Sequence, residues 1–329
     1  MTTSFLPGRR ALLAAAAGLL AAPRLARAAT WPDAQVTIIA PFTPGGPVDV
    51  LARVVATGVQ ARSGQTVVVD NRVGAQGNIG IDAARRAEPD GRTLLIVPAG
   101  NLTINPTLMS NLPYDVERDF APLSLLATAP NVIACPASLP VKSFQDLLAY
   151  AKRQPDGVTY ASPGVGSQLH LAGELLAQKA DISMLHVPYK GSSQAATDAI
   201  SGQVDLLFSN LPAVLGAIQG GQLRALALTS TTRSEAAPDI PTLAELGVEG
   251  IDITSWYGLL APKKTPEPVQ AAIAEEIRAV LHTPATQQAL KAQGLSLSDE
   301  SRQAFADRIR SETATWAQVI RERHIEANL

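Results

Sequence analysis

Two short segments of this 329-residue chain could hold an anion without any basic side chain. Pro41-Phe42-Thr43-Pro44-Gly45-Gly46 follows the β-branched run Val36-Thr37-Ile38-Ile39. It precedes apolar residues at helical spacing: Val48, Leu51, Ala52, Val55 and Val59. Ser162-Pro163-Gly164-Val165-Gly166 stands in the same position, between a strand-like run at 158–162 and a helical stretch at 167–179. A strand-to-helix loop rich in Gly and Pro leaves the first N–H groups of the helix unpaired, at the end where the dipole favours negative charge. Gly45, Gly46, Gly164 and Gly166 carry no Cβ, so a ligand can approach the backbone closely. Two such loops facing each other across a cleft could clamp a carboxylate. Taken singly, each is also what tight-turn chemistry alone produces.

Ser167 and His170 sit three apart on the second predicted helix, which leaves two readings open. They are a hydroxyl–imidazole pair, the start of an exported hydrolase, or an N-cap serine beside a half-exposed histidine. The other catalytic signatures are absent. There is no G-x-x-x-x-G-K-[ST] phosphate loop and no G-x-S-x-G elbow. Gly74-x-x-Gly77-x-x-Gly80 only loosely matches a dinucleotide fingerprint, and glycines are common at strand–helix turns for backbone reasons alone. His186, His282 and His324 lack metal-ligand spacing, and a single cysteine, Cys135, excludes a disulfide framework or a multi-cysteine zinc site. No metal and no cofactor are expected.

The elements that must position the two loops alternate along the chain. Strands are expected over 36–39, 66–69, 93–97, 123–127, 131–135, 158–162, 184–187, 204–208 and 223–228. Helices are expected over 48–59, 81–87, 143–153, 167–179, 193–200, 212–218, 269–281 and 305–320, the third opened by a capping box at Ser143-Phe144-Gln145-Asp146. This order predicts α/β layers around mainly parallel sheets. The length suits two domains. With no low-complexity tract or polar linker, two domains would be joined by crossing strands. A 46% hydrophobic, 17% charged composition with mean hydropathy +0.11 excludes intrinsic disorder. A net charge of −2 leaves no basic field to recruit nucleic acid or anionic lipid.

Residues 1–29 read as a cleaved signal peptide. Arg9 and Arg10 form a basic start, an apolar run spans 11–22, and Ala26-Arg27-Ala28 supplies the cleavage site. The arginine pair leans toward the twin-arginine export route. Losing four arginines and no acidic residue leaves 23 basic against 29 acidic residues, a mature net charge of −6.

The chain resembles the Bug-type substrate-binding proteins, periplasmic receptors of tripartite tricarboxylate transporters. The resemblance rests on the first loop continued through Pro47-Val48-Asp49-Val50-Leu51-Ala52-Arg53, on Val69-Asp70-Asn71-Arg72, and on Gly74-Ala75-Gln76-Gly77-Asn78. It continues through Pro89-Asp90-Gly91-Arg92, Leu112-Pro113-Tyr114-Asp115, His186-Val187-Pro188-Tyr189-Lys190-Gly191, Gly202-Gln203-Val204-Asp205 and Ser255-Trp256-Tyr257-Gly258. It implies a two-lobed type II periplasmic binding protein-like α/β fold with the ligand between the lobes. Lobe 1 would comprise 30–126 plus 232–329, and lobe 2 127–231. It further implies a monomer that binds a small organic acid and delivers it to membrane permease subunits, or else acts in sensing. The implied ligand-binding residues are Phe42, Thr43, Pro44, Gly45, Gly46, Asp49, Asn101, Ser162, Gly164, Gly166, Ser167 and Ser209. Asp49 also suits a plain capping role in the first helical turn. Two departures stand out. Ser209 replaces an Asp frequent in the family that could hold an ammonium group, which points away from an α-amino acid. Gln76 replaces a common glycine. Trp256 and Tyr257 either flank the cleft or fill core between the lobes.

Overall fold

The computed structural model describes residues 31–323 and 325–326. The expected leader over 1–29 lies outside these residues, as does His324. In chain order, β1 (Val36–Ala40) leads through the first loop to α1 (Pro47–Ser63), then β2 (Val67–Asn71), α2 (Asn78–Arg85) and β3 (Thr93–Pro98). Three short helices, α3 (Ala99–Thr103), α4 (Asn105–Leu108) and α5 (Val116–Asp119), precede the long β4 (Phe120–Ala129). After β5 (Asn131–Pro136) and α6 (Phe144–Ala151) the opening pattern recurs. It runs β6 (Val158–Ser162), second loop, α7 (Gln168–Lys179), β7 (Met184–Pro188), α8 (Ser192–Ile200) and β8 (Leu206–Asn210). The chain ends through α9 (Leu211–Gln219), β9 (Leu223–Leu228), β10 (Ser255–Pro262), α10 (Glu267–Leu281), α11 (Pro284–Ala292), β11 (Ser296–Leu297) and α12 (Arg302–Arg323).

Local chemistry explains several boundaries. α1 begins with Pro47, whose missing N–H would have no partner there anyway. It stops at Gly64, left-handed at φ 72°, whose N–H returns to the Gln60 carbonyl. The expected stripe Val48, Leu51, Ala52, Val55 and Val59 is buried throughout. At α6 the Asp146 N–H donates to Ser143 Oγ, while the Asp146 carboxylate accepts from the Lys142 N–H.

The strands form two sheets, ordered β11-β4-β10-β3-β1-β2 and β7-β6-β8-β5-β9. β1 pairs in parallel with β2 and β3, and β6 with β7 and β8. The other five pairings, all involving β4, β5, β9, β10 or β11, are antiparallel. The expectation of mainly parallel sheets is therefore corrected to mixed sheets. A strand buried on both faces reads as an apolar run whichever way it pairs, so direction was hidden. β10, all eight residues buried, was not among the expected strands.

Each sheet is covered on both faces. The first packs Leu51, Val55 and Ile273 on one side and Ile81, Leu102 and Phe305 on the other. The second packs Phe144, Leu171 and Leu176 on one side and Ala195, Ala199 and Val214 on the other. Against expected borders at 126/127 and 231/232, β4 continues to Ala129 before the chain crosses at Pro130. On the return, Leu243, Val248, Ile251 and Ile253 pack into the second sheet's core before β10 rejoins the first. α12 straps both, with Phe305 and Ile309 in the first core and Trp316 and Ile320 in the second.

Candidate functional site

Both loops occupy a topological switch point. β1 is flanked by β2 and β3, and β6 by β7 and β8, so in each half consecutive crossovers leave on opposite sides of the first strand. The carboxyl end of such a strand opens a crevice between diverging loops, where open α/β sheets bind ligands. The first loop follows β1 there, and the second follows β6.

In the first loop Thr43, Pro44 and Gly45 are exposed on the rim, while Asp49 is only 3% exposed. Its carboxylate turns back to brace the loop. It accepts from the Gly45 N–H at 2.9 Å and Asn71 Nδ2 at 3.0 Å, and pairs with Arg53 at 2.9 and 3.1 Å. Burial pushes the Asp49 carboxyl up, but the bonds from Arg53, Gly45 and Asn71 together hold it below the usual carboxylate range. Asn71 Nδ2 also donates to the Phe42 carbonyl. With the Gly46 N–H on the Thr43 carbonyl and Pro47 lacking one, Val48 and Asp49 supply the free N–H groups at this end of α1.

The second loop is braced by neutral groups. Ser167 caps α7: its Oγ accepts from the His170 N–H at 3.1 Å and donates to the Gly164 carbonyl at 2.8 Å. Ser162, fully buried, accepts from the Gly164 N–H and sets Oγ 2.7 Å from His186 Nε2. The Gly166 N–H donates to His170 Nδ1 at 3.4 Å. The two imidazoles stack at 4.0 Å, with His186 also stacked on Tyr160. Burial lowers the His170 pKa to about 4; burial and the neighbouring His170 lower that of His186 to about 3. Both rings are therefore neutral at neutral pH.

This geometry dismantles the hydrolase reading. The Ser167 hydroxyl meets the backbone of His170, not its ring, and His170 is buried at 5% exposure where it was expected half-exposed. The cause is non-local: β7 brings His186 over its face. Among the described residues, no group of three or more His, Cys, Asp or Glu is placed to hold a metal ion.

Asn101 stands beside the first loop. Its Nδ2 donates to the Gln76 carbonyl at 2.9 Å, and its own carbonyl accepts from the Tyr114 hydroxyl. The two halves touch next to it. A Cβ on Gly100 would lie 2.6 Å from the Gly166 carbonyl oxygen, and one on Gly166, at φ 77°, 2.5 Å from Asn105 Oδ1. Ser209 is fully buried near the end of β8. Leu207 pairs with Ala161, so Ser209 lies level with the start of the second loop. Its hydroxyl has no partner within the protein.

Ala75, Asn131 and Asn210 went unremarked in the sequence, while Gln76, Trp256 and Tyr257 were singled out there without a settled place. Ala75 and Gln76, at φ 45° and 55°, occupy the left-handed region, a cost of about 1–3 kcal/mol for each non-glycine residue. Trp256 fills the first core against Phe305, its indole N–H on Glu312. Tyr257 joins the halves: its hydroxyl donates to Asn210 Oδ1, and Asn210 Nδ2 donates to Asn131 Oδ1, which also accepts from Ser255. Only the topology shows that these distant residues meet where the chain crosses. Two surface cavities of about 400 and 460 Å³ border neither loop.

Comparison with known proteins agrees with this architecture. Residues 51–325 match the model of the tripartite tricarboxylate transporter family receptor. Protein BugT of Bordetella pertussis is 38% identical over 298 residues, 89% of this chain and 90% of BugT. A Rhodopseudomonas palustris protein solved with adipate superposes with TM-score 0.85 at 34% identity, covering 90% of this chain and 99% of its own. MatC of Rhodopseudomonas palustris with bound malate gives TM-score 0.81 at 27% identity, covering 88% and 100%. With the family model spanning most of its length and both halves of the fold matched, this chain belongs to the Bug-type tripartite tricarboxylate transporter receptors, which are solute-binding proteins and not enzymes.

Proposed function

We propose that this protein is an extracytoplasmic receptor that closes over a small organic carboxylate and delivers it to the permease subunits of a tripartite transporter. One observation carries the reading: in each half a helix N-terminus follows a strand at a switch point, and the guanidinium of Arg53, one turn into the first of these helices, is already committed to Asp49. Free N–H groups and the helix dipoles then meet the ligand's charge, each charge-assisted bond contributing about 1.5–3 kcal/mol. Relatives solved with adipate and malate support a dicarboxylate as ligand. The ligand residues are Phe42, Thr43, Pro44, Gly45, Gly46, Asp49, Asn101, Ser162, Gly164, Gly166, Ser167 and Ser209, with Asp49 acting by bracing the loop. The lobes are the two sheets with their helices, hinged at Pro130 and before β10. The chain loses residues 1–28 on export, by the twin-arginine route, and works as a monomer in the periplasm. No helix of the described residues is long and apolar enough to cross a membrane.

Thermal-shift screening of the mature chain against organic acids, amines and sugars, followed by calorimetry, tests this. A ligand at a hundred times its Kd stabilises by about 2.7 kcal/mol. Stabilisation by a carboxylate alone is expected; stabilisation by an amine or sugar and by no acid would overturn the reading. N-terminal sequencing of exported protein checks the leader, since an intact Met1 contradicts it.

A further inference from the structure

Both ends of the second loop are tied to one pair of rings. At its start Ser162 Oγ lies 2.7 Å from His186 Nε2, and at its end the Gly166 N–H donates to His170 Nδ1 at 3.4 Å. The two imidazoles stack at 4.0 Å with their planes 22° apart. His170 belongs to α7 and His186 to β7, so the stack joins the loop to the strand beyond it. Gly166 is also where the halves meet, since its carbonyl oxygen would lie 2.6 Å from a Cβ on Gly100.

The tie at Gly166 fixes where the protons are. A ring nitrogen that accepts a hydrogen bond carries no proton, so neutral His170 keeps its proton on Nε2. The surroundings are almost uncharged. β6 contributes the Tyr160 ring, stacked on His186 at 4.9 Å, and β8 contributes Phe208 against Tyr160. α4 contributes the neutral Asn105 and Leu108 beside Gly166. α7 contributes Glu174, whose Oε1 accepts the Tyr160 hydroxyl at 2.6 Å and stays 3.9 Å from His170 Nε2. Among the described residues it is the one carboxylate that reaches either imidazole.

Two cations stacked this closely repel, so the intact pair admits one proton at most. Burial holds His170 at about 4, and burial with the neighbouring ring holds His186 at about 3, so His170 takes that proton first. It arrives on Nδ1, the atom that receives the Gly166 N–H. Two donors then face each other, and the end of the loop loses its tie.

Resting on the carboxylate-receptor reading above, we propose that His170 and His186 are positioning residues for the bound acid: as a stacked neutral pair they fix both ends of the second loop, and proton uptake by His170 frees Gly166 and loosens the hold on the ligand. A loosened loop returns His170 toward the 6.5 of a free histidine. At pH 5 proton uptake then favours the loosened loop by up to about thirtyfold.

The test uses the mature wild type, His170→Asn, whose amide oxygen can accept near the Nδ1 position and does not titrate, and His170→Leu, which has no acceptor. The probes are malate and adipate, with any further acid that stabilises the chain in the thermal-shift screen. Calorimetry at pH 7.5 and pH 5 is expected to show wild-type affinity falling about tenfold more than that of His170→Asn, a ratio in which the acid's own titration cancels. At pH 7.5 His170→Leu is expected to bind about tenfold more weakly than wild type, and His170→Asn to recover at least threefold of that. Imidazole nitrogen resonances of the wild type, which need no variant, should show His170 protonated on Nε2 at pH 7.5. Three results overturn the proposal alone: equal acid sensitivity in wild type and His170→Asn, wild-type affinity in His170→Leu, or a His170 protonated on Nδ1. A wild type that binds no carboxylate at all overturns the receptor reading, and this proposal with it.

Discussion

After β1, a buried carboxylate gathers the Gly45 N–H, Asn71 and Arg53 around the first loop. After β6, two serine hydroxyls and two neutral histidines gather the second. The positions are equivalent: each loop leaves the carboxyl end of a strand flanked on both sides by parallel neighbours. The bracing differs because the settings differ. The first loop lies on an exposed rim, where the Arg53 head can remain in water while Asp49 goes under, their side chains 56% and 4% exposed. The second is packed beneath α7 and β7, where a lone charge would have been desolvated, and neutral rings avoid that cost. Equivalent topology therefore leaves the choice of scaffold to burial, and the two loops should fail under different insults.

The largest expected effect comes from removing the charged brace. Asp49→Ala leaves Gly45, Asn71 and Arg53 without their shared acceptor. Hydrogen bonds to charged groups contribute about 1.5–3 kcal/mol each, and water restores part of that on an exposed rim. A net loss of about 3 kcal/mol in the loop's ordering lowers ligand affinity about a hundredfold. Calorimetry on the variant checks this, and binding within threefold of wild type would show that the loop holds its shape unaided.

Next is a pair of glycine substitutions that separates closure from contact. Gly166→Val forces a branched side chain into a left-handed residue and against Asn105 of the other half. Gly46→Val meets nothing nearer than the Thr43 carbonyl at 3.5 Å, at an ordinary φ of −80°. Small-angle scattering should show no ligand-induced compaction for Gly166→Val. Gly46→Val should still compact at saturating ligand, but with affinity about tenfold lower, because the side chain screens the Val48 and Asp49 amides. Equal compaction by both variants would mean that the Gly100–Gly166 contact plays no part in closing.

Acid should loosen the second half first. Free histidine titrates near 6.5, while His170 and His186 in the fold titrate at about 4 and about 3. Below pH 6.5 the unfolded chain takes up protons that the folded chain refuses. Stability therefore falls with decreasing pH, by about 1.4 kcal/mol per unit for each histidine, until the folded values are reached. Asp49 is shifted in the same direction but in a lower pH window. Its lowered pKa gives stability that is complete above the ordinary carboxylate value near 3.9 and lost only as pH drops through the lower folded one. At pH 5, amide exchange corrected for intrinsic rate should accelerate in β6, α7 and β7 relative to pH 7.5, with β1, α1 and β2 unchanged. Uniform acceleration in both halves would remove the distinction.

What could be read from the sequence follows the same division. The two loops were legible because Gly and Pro between a β-branched run and a helical stripe are local signals, as is Ser143 with Asp146. The Asp49 brace was half-legible: an acid in a first turn announces a cap, but Asn71 joins it only through the pairing of β1 with β2. The His170–His186 stack, the Tyr257–Asn210–Asn131 seam and the crossing at Pro130 were not legible, because each unites residues that only the topology brings together. Gln76 was visible as an anomaly and no more, since a positive φ is a property of the backbone that no side-chain pattern reveals.

The smallest expected effect bears most directly on whether the backbone, and not side chains, holds the ligand. Ser167 looks central, yet its hydroxyl is fully engaged: it accepts from the His170 N–H and donates to the Gly164 carbonyl. Removing it in Ser167→Ala costs an N-cap, about 1 kcal/mol, and frees one N–H at the end of α7. The loop keeps its other ties, Ser162 to the Gly164 N–H and His170 to the Gly166 N–H. The amides at the start of α7 therefore remain in place, and affinity should drop no more than about threefold, short of Gly46→Val and far short of Asp49→Ala. Calorimetry on the three variants with one ligand tests the ranking. If Ser167→Ala abolished binding while Gly46→Val left it intact, the hydroxyl itself would be the contact. The brace around it would then be a means of presenting one oxygen, and the equivalence of the two loops would end at their topology.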